Sequence, residues 1–195
     1  MIDIPSFILG ATSGESEIKL PREYQKVSYM RHESACILAD KPASMVIEIK
    51  GKYLGGDEVS GICGYRSRNI LYNSGDFIIQ RSTGGYIQSA RYGKDTVTTP
   101  IAYSSETEFL IYNTCDSTST RFYIGSGGYY NNTIILPWDG DIYYIAGYDY
   151  GNEQSCLFIP CYRKSDNKPG YYEVISNMFY DTLIASEGGK ITPVR

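Results

Sequence analysis

The sequence predicts an all-β fold, a two-sheet antiparallel jelly-roll sandwich with a short N-terminal arm. From Leu20 onward, polar and apolar residues alternate with a period of two, and turn signals recur about every ten residues. No stretch of about twelve residues in this region carries the apolar stripe of a helix. The chain also contains 20 tyrosines among its 195 residues. Tyrosine suits a half-buried sheet, because its ring packs while its hydroxyl stays in water.

The alternation predicts a series of short strands. It is clearest over residues 44–53, where Met45, Ile47 and Ile49 alternate with Glu48 and Lys50. The same pattern predicts strands over residues 24–30, 59–65, 76–80, 86–92, 106–112, 120–124, 133–136, 141–148 and 154–162. Turns are predicted at Gly75-Asp76, Gly84-Gly85, Gly127-Gly128 and Asp139-Gly140. Strands this short and evenly spaced are typical of a sandwich or barrel.

Residues 1–17 differ from the rest of the chain. Ile4, Phe7, Ile8 and Leu9 form an apolar patch, and no strand pattern continues it. We therefore expect residues 1–17 to be an anchoring arm, since so short a segment gains order by docking, either on its own domain or on another chain. Residues 18–195 are predicted to form one domain, of a size that allows a sandwich with a core of its own.

Charge and hydropathy exclude several classes of partner. The net charge is −4 and the pI is about 5.1, and Lys and Arg are not clustered. The chain therefore lacks the basic patch that binds nucleic acid or an anionic membrane. No segment reaches the roughly 18 apolar residues of a membrane-spanning helix, and the first residues lack the basic region of a secretion signal.

The cysteines predict buried free thiols in a protein that folds in a reducing cytosol. Their number is odd and their spacing irregular, which suits neither a disulfide framework nor a zinc site. On one strand, Cys156 and Cys161 would lie on opposite faces and could not pair. The five residues are Cys36, Cys63, Cys115, Cys156 and Cys161.

Two segments carry a resemblance to a known family. Residues 20–30, L-P-R-E-Y-Q-K-V-S-Y-M, resemble the "L-P-x-x-Y-x-x-V-x-Y-I" opening of laminin-G-like, concanavalin A-like domains from gut bacteria and their phages. Residues 141–149 and 158–180 resemble the closing segment of these domains, "F-V-P-C-x-R-K-S-D-x-x-x-G-L-Y-D-x-V-x-x-x-F-Y". The two segments bracket residues 20–182 and imply the concanavalin A-like fold for this range.

Other parts of the chain match the family less closely. Residues 31–39 keep only the alternation of the family's next strand, and residues 50–135 align only by pattern. The resemblance therefore carries over the fold well and any ligand site poorly. Residues 4–10, I-P-S-F-I-L-G, resemble the "I-P-S-Y-x-x-G" starts of phage tail and appendage proteins, which favours a virion component.

The side chains do not form a catalytic constellation. His32 is the only histidine, which leaves no histidine cluster for a metal and no Ser/His/Asp triad. We expect it at the surface or at a strand end. Some relatives with this fold are glucanases with acidic residues alternating on one strand. Glu106 and Glu108 come nearest to that pattern, and we interpret them as solvated edge charge. The protein is therefore predicted not to be an enzyme.

A recognition surface is predicted near residue 130. Aromatic rings next to amides and carboxylates are what sugar recognition requires; an ordinary turn with a packed tryptophan is the alternative. Laminin-G-like relatives often bind sugars, sometimes with calcium, and the resemblance implies that Asp139 and Asp141 could supply calcium ligands. No other cofactor is expected. The candidate residues are Tyr129, Tyr130, Asn131, Trp138, Asp139 and Asp141.

These observations lead to a functional hypothesis. We expect a non-enzymatic structural or adhesive protein of a bacteriophage virion: a fibre, decoration or tail appendage assembled in the host cytoplasm. The arm would contact other virion proteins, and the lectin-like domain would form a homo-oligomer and face a host surface glycan. The alternative is a carbohydrate-binding module on the surface of a gut bacterium. A glycoside hydrolase is a distant third.

Overall fold

The computed structural model describes residues 18–40, 45–55, 58–65, 77–91, 97–103, 106–115, 121–149 and 153–195. Within these ranges the chain forms strands and no helix, so the all-β prediction is confirmed. No helix in the described part could span a membrane. The predicted arm, residues 1–17 with Ile4, Phe7, Ile8 and Leu9, lies outside the described residues.

Short strands with brief connections make up most of the described chain. They are β1 (Tyr24–Lys26), β2 (Tyr29–Asp40), β3 (Met45–Tyr53), β4 (Ser60–Tyr65), β5 (Phe77–Arg81), β6 (Tyr86–Arg91), β7 (Val97–Ala102), β8 (Glu108–Cys115), β9 (Arg121–Ile124), β10 (Ser126–Tyr130), β11 (Thr133–Pro137), β12 (Asp139–Tyr148), β13 (Gln154–Arg163), β14 (Lys168–Glu173), β15 (Met178–Tyr180) and β16 (Thr182–Val194).

Fourteen strands belong to one antiparallel sheet, and β10 and β11 form a second sheet of two strands. The path through the large sheet runs β15-β14-β13-β12-β2-β9-β4-β5-β6-β7. Beside this path, β1 pairs with β13, β16 pairs with β2, and β3 lies between β12 and β8. All of these pairs are antiparallel, as expected for a domain built from hairpins and returning strands.

The large sheet folds over a single main core. Residues 30–33 of β2 pair with β12, whereas residues 37–40 of the same strand pair with β9. Phe122 on β9 and Phe158 on β13 nevertheless contact each other, with ring centroids 5.7 Å apart, although β2 and β12 separate their strands. The two halves of the sheet therefore face each other, which is a sandwich-like arrangement. Burial of the apolar side chains between them stabilises the fold.

The period-two pattern is confirmed on β3. Ile47 and Ile49 are buried in the core, while the Lys50 side chain is 40% exposed. Glu48 faces outward as predicted but is only 7% exposed. The hydroxyls of Tyr144 and Tyr148 donate to its carboxylate at 2.5 and 3.4 Å and cover it.

His32 does not lie at the surface or at a strand end, and that prediction is wrong. It is fully buried within β2, where its Nδ1 lies 2.9 Å from the Ala35 carbonyl oxygen and its Nε2 lies 2.7 Å from the Tyr171 hydroxyl. The carbonyl can only accept, so Nδ1 carries the proton and Nε2 accepts from Tyr171. Both ring nitrogens are satisfied, and burial lowers the pKa of His32 to about 4.

Four of the five cysteines are buried and are not joined in disulfides, as predicted. Cys156 and Cys161 share strand β13, and their odd separation puts them on opposite faces of the sheet. Burial raises the pKa of the Cys36 thiol to about 11 and that of Cys161 to about 12, so neither is a reactive thiolate at neutral pH. The side chain of Cys115 lies outside the described part of the chain.

Several boundaries differ from the predicted ones, and the turn predicted at Gly127-Gly128 lies within β10. The strand predicted over residues 24–30 is divided, because the amides of Val27 and Ser28 bond to Pro160 and Val194 on two different strands. The turn predicted at Asp139-Gly140 is the beginning of β12. Gly140 is required there by close packing, since a Cβ would lie 2.3 Å from the Lys52 carbonyl oxygen.

Candidate functional site

Trp138, the proposed sugar-stacking residue, is not accessible. It is fully buried, with its ring 4.9 Å from that of Tyr53 and 5.9 Å from that of Phe109. A side chain enclosed on these sides cannot stack on a ligand from solvent. The alternative weighed for this residue, a packed tryptophan, describes its role in the core.

Asp139 and Asp141 are both engaged within the domain. An oxygen of Asp139 accepts the Ser34 amide at 2.8 Å. Asp141 is fully buried, and both of its oxygens accept hydrogen bonds from Arg31, at 2.8 and 3.0 Å. The Arg31 guanidinium thus occupies the position that a calcium ion would take at Asp141. The predicted calcium ligation therefore does not fit this carboxylate. The described residues contain no group of three or more acidic, Cys or His side chains arranged to hold a metal.

The hairpin of β10 and β11 holds the remaining predicted residues. Asn131 and Asn132 form its turn with positive φ angles of 46° and 59°, a conformation that asparagine tolerates well. The Tyr129 ring packs against a small cluster of Cys36, Tyr123 and Ile134. The side chain of Tyr130 lies outside the described part. The predicted recognition residues are therefore distributed over the hairpin, the core and the face of β12, and do not form one surface.

A different surface brings polar and aromatic side chains together on β2, β12, β3 and β8. Arg31 lies opposite Asp141, Asp141 opposite Lys52, and Lys52 opposite Glu108. Directly opposed residues of an antiparallel sheet share one face. The four side chains therefore form a row of alternating charge across four strands, on the side of the sheet away from the core.

A second row, rich in aromatic residues, lies beside the charged one. Tyr29 on β2 and Tyr143 on β12 contact each other with ring centroids 5.3 Å apart and planes inclined by 50°. The register between β12 and β3 shifts at residues 142–144, and this irregularity turns Tyr143 outward next to Tyr144. The Lys50 ammonium lies 5.2 Å from the centroid of the Tyr143 ring. We call these two rows the Tyr143 face: Tyr29, Arg31, Lys50, Lys52, Glu108, Asp141, Tyr143 and Tyr144.

Charged and neutral groups on this face are fixed by their partners. The Tyr143 hydroxyl donates to Glu108 at 2.7 Å, and this hydrogen bond lowers the pKa of the Glu108 carboxyl. Burial, followed by the same hydrogen bond, raises the pKa of Tyr143. The hydrogen bonds to Asp141 raise the pKa of Arg31. At neutral pH the face thus presents a carboxylate, cations and neutral phenols, which together can accept, donate and stack.

Asp141 is held by Arg31, and the two carboxylates on this side of the sheet that accept tyrosine hydroxyls, Glu48 and Glu108, are not spaced as a glycosidase pair. Glu108 lies opposite Lys52, four residues along β3 from Glu48, which is about 13 Å of strand. Catalytic carboxylates of glycosidases lie roughly 5 to 9.5 Å apart. Glu106, which was interpreted with Glu108 as solvated edge charge, lies in the turn before β8 with a φ of 65°. Its backbone amide donates a hydrogen bond to the Tyr53 carbonyl oxygen.

An open groove of about 680 Å³ lies elsewhere, between β1 and the end of β16. Its main charged group, Arg195, already donates to the Tyr162 hydroxyl at 2.6 Å and stacks over that ring. The groove therefore differs from the Tyr143 face in having a single aromatic ring, which Arg195 covers. Its lining residues are Gln25, Lys26, Val27, Ser28, Tyr162 and Arg195.

Sequence reasoning named Asp141 as a candidate ligand-binding residue but interpreted Glu108 as solvated edge charge, and it missed the tyrosines and cations around them. The sequence contains one signal for this surface. Polar or aromatic residues two apart, such as Tyr29 and Arg31 or Lys50 and Lys52, lie on the same side of a predicted strand. That signal does not say which strands are neighbours. Only the cross-strand register joins the residues of these four strands into one surface.

Comparison with family models, curated proteins and solved structures finds no match to this chain.

Proposed function

We propose that this protein is a non-enzymatic glycan-binding domain, displayed on a bacteriophage virion as part of a fibre, decoration or tail appendage. The observation that carries the proposal is the Tyr143 face. It places two tyrosine rings beside a carboxylate and several cations on the outward side of the sheet. Sugars are bound by such combinations, because their ring faces are apolar while their hydroxyls need planar donors and acceptors.

The assignment to a virion rests on residues 4–10, which resemble the starts of phage tail and appendage proteins, together with the resemblance of residues 20–30 and 158–180 to concanavalin A-like domains of gut bacteria and their phages. The same resemblance supports a jelly-roll connection of the strands, consistent with the sandwich-like sheet. Residues 1–17 would join the domain to other virion proteins, and several copies would bind a surface more strongly than one.

The proposal is tested by binding of a bacterial surface glycan panel to wild type and Tyr143→Ala. Removing the ring and its hydroxyl should weaken the binding of any positive glycan at least about tenfold, equivalent to about 1.4 kcal/mol. Tyr86→Ala is the matched control, because Tyr86 is 40% exposed on β6, away from the Tyr143 face. Circular dichroism should show the same strand content in all three proteins.

Two outcomes would contradict the proposal. If no glycan binds the wild type, the domain is not a glycan-binding domain. If glycans bind but Tyr143→Ala and Tyr86→Ala bind as well as wild type, recognition takes place elsewhere on the domain.

A carbohydrate-binding module of a gut bacterium would use the same face, and the sequence resemblance includes such domains. The genes next to the one that encodes this protein distinguish the virion protein from the bacterial module. Capsid, portal and tail genes support the virion protein, whereas polysaccharide-degradation genes support the bacterial module.

A further inference from the structure

The charges of the Tyr143 face are unequally available to a ligand. Asp141 is fully buried and uses both oxygens to bind Arg31. Glu108 is the exposed carboxylate of the charged row, with 52% of its side chain accessible. Three cations accompany it. The side chains of Arg31 and Lys50 are 36% and 40% exposed, and Lys52 lies between Asp141 and Glu108.

Lys52 is the cation least committed to a partner. Arg31 holds Asp141, and the Lys50 ammonium lies 3.6 Å from Glu108. Among the described residues, Lys52 forms no ion pair within 4 Å, although its charge lowers the pKa of Glu108. The charged row thus contains one cation, Lys52, whose charge is only partly balanced, although the whole chain has a net charge of −4.

From this placement we propose that the Tyr143 face recognises an acidic glycan, one that carries carboxylate or sulfate groups. This inference rests on the proposed glycan-binding function and names its ligand class. An anionic group at Lys52 gains a charge-assisted hydrogen bond, while the neighbouring sugar ring lies against Tyr29 and Tyr143. A neutral glycan would leave the charge of Lys52 unused.

The direct test compares an oligosaccharide containing uronic acid with the same oligosaccharide after reduction of its carboxyl groups to alcohols. A sulfated oligosaccharide of equal length forms a third arm and separates the two sources of negative charge. Isothermal titration at low and high salt should show the carboxylate or the sulfate form binding at least about tenfold tighter than the neutral form. The difference should shrink at high salt, since salt screens exposed charges.

Lys52→Gln should remove most of the preference for the acidic form, so that the acidic and neutral forms bind this variant with similar affinity. Lys26→Gln is the control, because Lys26 is an exposed lysine on β1, in the groove outside the Tyr143 face. Circular dichroism verifies that both variants are folded.

Equal binding of the acidic and neutral forms would overturn the acidic-ligand inference while the glycan-binding function stands. The inference also fails if Lys26→Gln, and not Lys52→Gln, abolishes the preference. Absence of binding to every form would instead contradict the glycan-binding function itself.

Discussion

His32 shows how burial sets the state of a single side chain in this domain. The imidazole is enclosed in the core, with one nitrogen on the Ala35 carbonyl and the other on the Tyr171 hydroxyl. Asp141 is near enough to favour protonation, but desolvation of the ring is the larger effect, and the pKa falls to about 4. The ring is therefore neutral at physiological pH.

This shift predicts acid sensitivity of the fold. Unfolded histidine has a pKa near 6.5, so between about pH 6.5 and 4 the unfolded chain binds a proton that the folded chain does not. Stability should therefore fall as pH drops through this window, by about 2 to 3 kcal/mol at pH 4.5 from this residue. Urea unfolding at pH 7 and pH 4.5 measures the loss.

His32→Asn provides the comparison, because asparagine does not titrate. This variant should be less stable than wild type at pH 7, yet lose less stability between pH 7 and pH 4.5. An equal loss in both proteins would show that the carboxylates, and not His32, cause the acid sensitivity.

At the scale of elements, β12 shows both what alternation predicts and what it misses. Its residues 141–148 were predicted as a strand, and they form one. Gly140 was interpreted as part of a turn because glycine usually interrupts strands. In the structure it lies within the strand, close against the neighbouring Lys52 backbone and the Trp138 indole. The sequence alone does not show whether a glycine interrupts a strand or allows close packing within one.

Gly140→Ala should therefore be strongly destabilising. The added methyl would lie 2.3 Å from the Lys52 carbonyl oxygen and 2.8 Å from the Trp138 indole nitrogen, and neither belongs to a flexible side chain. We expect a loss of about 2 kcal/mol or more in the free energy of unfolding, as for an overpacked core. Gly84→Ala, whose methyl would contact only the Tyr86 ring at 3.2 Å, should cost less than about 1 kcal/mol. Similar losses in the two variants would contradict this account of β12.

At the scale of the whole molecule, the anchoring role proposed for residues 1–17 would distinguish a virion protein from a free lectin. Ile4, Phe7, Ile8 and Leu9 give residues 1–17 an apolar patch that would be a liability on a soluble monomer. Burying it against a partner gains free energy at roughly 25 cal/mol per Å², although ordering the backbone offsets much of this. A preformed partner surface is therefore required.

Deleting residues 1–17 should leave the domain folded, with little change in melting temperature, but should abolish incorporation into its assembly. Differential scanning calorimetry and reconstitution of the assembly measure the two effects. If the truncated protein unfolds, the arm belongs to the core of the domain and does not anchor it.

The fold class could be predicted because it depends on local patterns, whereas the site depends on pairing between distant strands. Alternation places Lys50 and Lys52 outward from β3 without reference to the rest of the chain. That Lys52 lies between Asp141 and Glu108 follows from the register of three strands far apart in sequence. The outward turn of Tyr143 depends on an irregularity in that register, for which the sequence carries no marker. The burial of His32 was missed because its partner Tyr171 is 139 residues away.

The location of the glycan site is the central claim, and amide chemical-shift mapping tests it most directly. The isotope-labelled protein is titrated with the glycan of highest affinity from the binding panel. We predict that the largest shifts cluster at Tyr29, Arg31, Lys52, Asp141 and Tyr143, on three strands that only the fold brings together. Shifts concentrated instead at the hairpin turn of Asn131 and Asn132, or in the groove at Lys26 and Tyr162, would contradict it.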